Sequence, residues 1–267
     1  MKTRILSIAI IVIALGSFGC GKQIDYLKAR AALNKGVQSF AAANYEGAAE
    51  HFGTAYSLDP TLSAAKVYLA YSHMMQFIPG VESPENKAIA RKALDGFKAV
   101  LEDDPTNSTS LQSIASIYFQ MKDFDQAKDW HKKVIEAQPE NKESFYTIGV
   151  INWTQSYEPR LQLRADLGME QADPGPLKDP KQRAELAVKL LPVIDEGLKN
   201  LEDALKIDPD YTDAMAYTNL LLRERADFSE TKEEYEDYLA QADDWVQRTL
   251  DTKKRLTEES TFNQFAE

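Results

Sequence analysis

The chain has 267 residues, 43% of them apolar and 27% charged, which is enough to bury a core in one or two compact units. Its formal charge is -11 and its pI about 4.9, so it lacks the basic face that nucleic acid requires and gains nothing electrostatically at an anionic membrane surface. No nucleic-acid partner is expected.

In chain order, the first 19 residues differ from the rest of the chain. Lys2 and Arg4 give a positive start, Ile5 to Leu15 an uninterrupted apolar run, and Gly16, Ser17 and Gly19 a small-residue exit, the layout of an export signal over 1–19. The run is shorter than the ~20 residues a membrane-spanning helix needs. Cys20, the only cysteine, comes directly after. The arrangement resembles a bacterial lipoprotein signal, which implies lipidation of Cys20, although Ser17 stands where such signals usually carry leucine. Ordinary cleavage after Gly19, leaving a free thiol, is the alternative. By the same resemblance Gly21, in place of an aspartate, favours the periplasmic side of the outer membrane; a soluble periplasmic protein is the other outcome. Residues 20–24 form a tether reaching ~17 Å at most, so the helical body beyond it would sit close to the membrane.

Helical periodicity starts at about Asp25 and continues to about 256. The clearest stretch is 106–139. Leu111, Ile114, Ala115, Ile117 and Tyr118 mark one amphipathic helix and Ala127, Trp130, Val134 and Ile135 a second, joined by a polar turn and closed by Pro139. A hairpin of two such helices cannot bury its own apolar surface and needs a copy on either side. Asp59-Pro60, Asp104-Pro105, Gln138-Pro139 and Asp208-Pro209 mark the ends of the copies, since proline belongs at a helix boundary. Pro105 and Pro139 lie one 34-residue period apart.

On these residues the chain resembles the tetratricopeptide repeat (TPR) family. The first unit (29–60) matches at Gly36, Ala48, Phe52, Ala55 and Pro60, but has Ala32 and Lys35 where the family has an aromatic and a leucine. The second (63–105) matches at Leu69, Ala70, Ala93, Phe97, Val100 and Pro105. The third (108–139) matches at Leu111, Ile114, Ala115, Tyr118, Ala127, Val134 and Pro139, with His131 at an aromatic position. The fourth (142–209) matches at Phe145, Ile148, Gly149, Gly197, Leu201, Ala204 and Pro209. A degenerate fifth (212–256), with Met215, Ala242 and Val246, reads as a polar cap, and 257–267 as a frayed tail carrying Phe262 and Phe265. The resemblance implies an all-α helix-turn-helix solenoid, with small residues at Gly36, Ala70, Ala115 and Gly149 where helices cross closely.

Two intervals exceed the period. The excess between Pro60 and Pro105 falls on the turn-rich stretch at 78–86. The larger excess between Pro139 and Pro209 reads as an insertion at about 155–190, punctuated by Pro159, Gly168, Pro174, Gly175, Pro176 and Pro180, and then a long helix from about Lys181 that Pro192 kinks or divides.

Material for catalysis is thin. His51, His73 and His131 lack partners at metal-ligand spacing, and His131 sits at a packing position. The Asp103-Asp104 and Asp243-Asp244 pairs read as solvated carboxylates, and no phosphate loop or calcium loop is present. Neither an enzyme nor a cofactor or metal is expected.

In the TPR family one stripe of each first helix lines a concave, partner-binding face. The resemblance places Tyr68, Tyr71 and Met75, then Gln112, Ser116, Phe119 and Gln120, then Tyr146, Val150 and Trp153 on that stripe, with Leu33, Val37, Phe40 and Val67 in the same register. Carboxylate-clamp lysines and asparagines are replaced by Leu33, Val37, Val67 and Tyr71. The groove would suit a peptide anchored by aromatics, with the amides of Gln112 and Gln120 for its backbone. Either it stays open, or the insertion folds in and covers Trp153. The expectation is a non-enzymatic interaction scaffold or adaptor in the cell envelope; the alternative is a periplasmic carrier of a small or lipidic ligand, such as one serving a transporter.

Overall fold

The computed structural model describes residues 2–266, and the side chains of residues 22–261. The predicted export signal, Cys20, Gly21, Phe262 and Phe265 lie outside the described side chains. Ten helices succeed one another: α1 (Lys2–Ala41), α2 (Tyr45–Leu58), α3 (Ser63–Gln76), α4 (Pro84–Asp103), α5 (Ser108–Gln120), α6 (Phe124–Ala137), α7 (Lys142–Asp166), α8 (Pro180–Ile207), α9 (Thr212–Ala226) and α10 (Lys232–Ala266). Among the described residues there is no strand, and no helix is long and apolar enough to cross a membrane. The chain divides into two compact units after Trp130, within α6.

Several helices begin where a short polar side chain caps the first free N–H groups, while α3 and α9 begin without one. Asn44 accepts from the Gly47 N–H (3.1 Å), Asn107 from Ser110 (3.0 Å), Asn141 from Ser144 (2.8 Å) and Asp179 from Lys181 (2.9 Å). Each such cap contributes about 1 kcal/mol. Helices α2, α4 and α8 are closed one residue before proline, at Asp59, Asp104 and Asp208.

In the first unit, α1 packs on α2, α2 on α3, α3 on α4 and α4 on α5. Ala29, Ala32, Ala55, Leu62 and Ala65 form one core cluster; Ala70, Phe77, Ala93, Leu94, Phe97, Ile114 and Ile117 form another. A Cβ on Gly36 would lie 2.5 Å from the Phe52 ring, so the α1–α2 crossing admits no side chain there. The excess over one repeat is shared between a lengthened helix and a loop: α4 has 20 residues where α6 has 14, and the connection 77–83 is ordered by Asn86. Asn86 accepts from the Ile78 N–H (2.9 Å) and donates to the Ile78 and Val81 carbonyls (2.8 and 2.7 Å).

In the second unit, α7 packs on α8 and α9, α8 on α9, and α9 on α10. Its core comprises Leu177, Leu190, Ile194, Leu201, Ala204, Ala214, Leu221 and Phe228. A Cβ on Gly149 would lie 2.6 Å from Leu201. The predicted insertion at 155–190 is mostly helix: α7 has 25 residues where α5 has 13, α8 has 28 where α6 has 14, and only 167–179 is irregular. Pro159 and Pro192 both lie inside helices. An interior proline costs about 3 kcal/mol. The α7 helix continues past Pro159 because its last turns bury Arg160 and Arg164 and pack Leu163 on the core. The predicted frayed tail is likewise helical in its backbone to Ala266, as the last part of α10. Good helix formers at 253–256, 258 and 259 and the Arg255–Glu259 pair at one helical turn (3.1 Å) favour its continuation.

Candidate functional site

Seven of the ten stripe residues fall in the first unit, on two helices. On α3, Tyr68 is 40% and Met75 47% exposed, and Val37 of α1 is 47% exposed. Tyr68 is held in place by its neighbours: its ring stacks on Phe52 (5.3 Å, 19°) and meets Phe40 edge-on (6.0 Å). Tyr71 behaves differently, packing edge-on against Phe97 (5.2 Å) as part of the core cluster. On α5, Gln120 donates to Ser116 Oγ and Gln112 to Ser108 Oγ, each 3.0 Å and one helical turn back. Phe119 is half-buried and its nearest ring is Phe124 (6.2 Å).

The remaining three lie on α7 in the second unit. Tyr146 and Trp153 both meet Tyr217 of α9 edge-on (5.5 and 5.6 Å), and Tyr146 also meets Tyr211 (5.2 Å). Burial, first of all, raises the Tyr146 phenol above its ordinary value. Val150 is half-buried between them in sequence. One turn beyond Trp153, Tyr157 packs against it (5.1 Å).

From there the same face of α7 carries two buried arginines. Arg160 Nε donates to Glu224 Oε2 and Arg160 Nη1 to Asp227 Oδ2 (2.6 Å), while Arg164 Nη1 donates to Asp227 Oδ1 (2.5 Å). Arg164 also donates to the carbonyls of Glu170 (3.1 and 3.2 Å) and Asp173 (2.7 Å), fastening the connection 167–179 to α7. The Leu177 N–H completes the fastening by donating to the Asp227 carbonyl (3.0 Å). Burial pushes the Glu224 carboxyl up to about 7, outweighing the opposing pull of Arg160, and the Asp227 charge adds to the rise.

Above this cluster lies a cleft of about 370 Å³, walled by Trp153 and Tyr157 of α7, Leu220 of α9, Tyr235 and Leu239 of α10, and residues 171–174 of the connection. Residues 171–174, within the expected insertion, line this cleft together with Trp153. Sequence reasoning missed Arg160, Arg164, Glu224 and Asp227. The signal was present at Trp153, Tyr157, Arg160 and Arg164, whose spacing marks one helical face once α7 is carried past Pro159. His131 is a packed side chain: its Nδ1 lies 3.1 Å from Ser144 Oγ, its Nε2 has no partner, and burial lowers its pKa to about 4. Among the described residues no group of three or more His, Cys, Asp or Glu side chains is placed to hold a metal.

Residues 108–141, which hold the α5–α6 hairpin, match the family described as tetratricopeptide repeat. No curated protein matches the chain. Among solved structures it is similar to the MamA protein, at 12% identity and a TM-score of 0.57, over 86% of this chain and 94% of that one. It is also similar to MamA 41-end from Desulfovibrio magneticus RS-1, at 11% identity and a TM-score of 0.55, over 85% and 96%. At these identities the likeness is one of fold. Residues 108–141 thus match a tetratricopeptide repeat, and the helical hairpins around them share the fold of those structures.

Proposed function

We propose that the chain is a non-enzymatic scaffold or adaptor that binds a protein partner through the first unit and is held in the bacterial cell envelope by lipid on Cys20. The observation that carries the protein-binding part is the exposure of Val37, Tyr68 and Met75 beside the buried clusters of the first unit. Tyrosine and methionine are enriched at protein interfaces, and a tyrosine already fixed by Phe52 and Phe40 loses little conformational freedom when a partner covers it. Photo-crosslinking residues placed at 68 and 75 should capture one defined envelope protein, whereas the same residue at Arg91, an exposed position on α4, should not. Equal capture at all three positions, or none at any, refutes this use of the surface. Envelope anchoring rests on the sequence of residues 1–21 and is tested separately. Cys20→Ala should release the protein from membranes, and continued membrane retention of that variant removes the lipid anchor.

A further inference from the structure

We propose that the cleft between α7, α9 and α10 binds a small organic carboxylate with an aromatic or branched apolar body. This site is separate from the protein-binding surface of the first unit and does not depend on it.

The ligand class is set by the polar groups that the protein leaves unused. Arg160, 7% exposed, engages Glu224 through Nε and Asp227 through Nη1, so Nη2 is left for a ligand. Trp153 Nε1 is buried and has no partner. Arg223, at the rim, engages Asn219 through Nε and Asp243 through Nη2 (2.5 Å), which leaves Nη1. Among the buried carboxylates Asp227 commits one oxygen to each arginine and Glu224 one to Arg160, which leaves Glu224 Oε1, while Asp173 of the connection accepts from the Glu170 N–H through Oδ2. A guest that satisfies several donors and few acceptors presents paired oxygens, and guanidinium donors match a carboxylate in plane. The remaining walls, Tyr157, Leu220, Tyr235 and Leu239, suit an apolar body. At about 370 Å³ the cleft lies at the lower end of the ~300–1,000 Å³ typical of small-molecule sites, too small for a length of folded peptide.

Charge decides what accompanies the ligand. The charged and titratable groups that line the cleft with Glu224 are Arg160, Arg164 and Tyr157 from α7, Arg223 from α9, Asp227 just beyond it, Asp173 from the connection and Tyr235 from α10; of these Arg160 pairs with it directly. Arg223 is paired with Asp243, and within the buried set two arginines balance two carboxylates. A third carboxylate would leave an uncompensated buried negative charge. Protonation of Glu224 removes that charge and lets Oε1 donate to the ligand. Burial has already brought this carboxyl to about 7, so the proton is taken up readily near neutrality. Ligand and proton are then linked reciprocally: one carboxylate enters with one proton.

The test is calorimetric titration of the mature full-length protein with phenylacetate and 4-methylpentanoate, and with phenylacetamide as a neutral control, at pH 6, 7 and 8. Repetition at each pH in buffers of different ionisation enthalpy counts the protons. Both carboxylates should bind, with affinity falling about fivefold from pH 7 to 8 and approaching one proton taken up per ligand at pH 8. Phenylacetamide should bind at least tenfold more weakly at pH 6. Glu224→Gln should keep carboxylate binding and lose its pH dependence. Arg160→Met should abolish binding; should that variant fail to fold, Trp153→Phe, which removes only one donor, should weaken binding about three- to tenfold. Absence of carboxylate binding at millimolar concentration and pH 6 overturns the site. Equal binding of phenylacetamide overturns the ligand class, and pH-independent binding overturns the proton linkage.

Discussion

Arg164→Met is the substitution that most directly tests how the lengthened repeat is held together. Methionine matches the reach of the arginine stem and fits an apolar surrounding, but supplies no donor. Arg164 is 2% exposed and makes four hydrogen bonds: one to Asp227 Oδ1, two to the Glu170 carbonyl and one to the Asp173 carbonyl. The variant leaves Asp227 with Arg160 alone. Removing one partner of a buried ion pair costs about 3–5 kcal/mol, mostly through the charge left behind. The two carbonyls belong to a surface connection, where water can replace the arginine, so they add little to that figure. Helical repeats do not unfold as a single block, and a melting temperature would dilute the local effect. Hydrogen exchange resolved by peptide avoids this. At ~3 kcal/mol, amides of the last two turns of α7 and of the C-terminal half of α9 should exchange more than about 100-fold faster, since each ~1.4 kcal/mol is a factor of ten. Amides of α3 and α4, in the other unit, should be unchanged. Arg164→Lys should fall between, keeping the charge and losing the fork. An acceleration below about fivefold in α7, or a uniform rise in both units, would refute the role assigned to Arg164.

Other consequences are as specific. Glu224 binds its proton more tightly when folded than unfolded, so its stabilising contribution is complete below about pH 4.5 and is lost as pH rises through about 7. The urea midpoint of the second unit should therefore fall between pH 5 and 8, and Glu224→Gln should flatten that fall; an unchanged slope in the variant counts against it. His131 has the opposite sign. Burial lowers it to about 4, so the unfolded chain binds the proton first and stability is lost as pH drops from about 6.5 towards 4. His131→Phe should soften acid unfolding monitored by circular dichroism, and a steeper acid limb would contradict this. Gly149→Leu should cost about 1–3 kcal/mol or more, because the Cβ alone would meet Leu201 at 2.6 Å; a thermal melt within ~1 °C of the wild type would show that α7 and α8 can separate freely.

The parts of the fold legible in the sequence are those set by local chemistry. Prolines at 60, 105, 139 and 209, asparagine caps and small residues at crossings place the short hairpins, because each acts within a few residues of itself. Pro159 misled for the same reason. Its local preference is to stop a helix, and only the burial of Arg160, Leu163 and Arg164 against distant residues overrides it. The site divides along the same line. Tyr68 and Met75 are exposed, whereas Tyr71, one turn from either, is drawn into the core by Phe97 from α4. Pairing of Arg160 with Glu224 joins residues 64 apart, and nothing in either neighbourhood announces the partner.

The fastening of residues 167–179 also limits what can be done with this chain as a set of parts. Repeats that touch only their neighbours can in principle be duplicated, deleted or exchanged, since each brings its own hydrophobic faces and little else. The α7–α8 hairpin does not satisfy that condition: its connection is hydrogen-bonded to Arg164 and to the backbone of Asp227, beyond the end of α9. Trimming it to the 34-residue period would strip a buried carboxylate of its partners in the next hairpin. The first five helices are open to recombination with other repeats; from α7 to α10 the chain can be moved only as one piece.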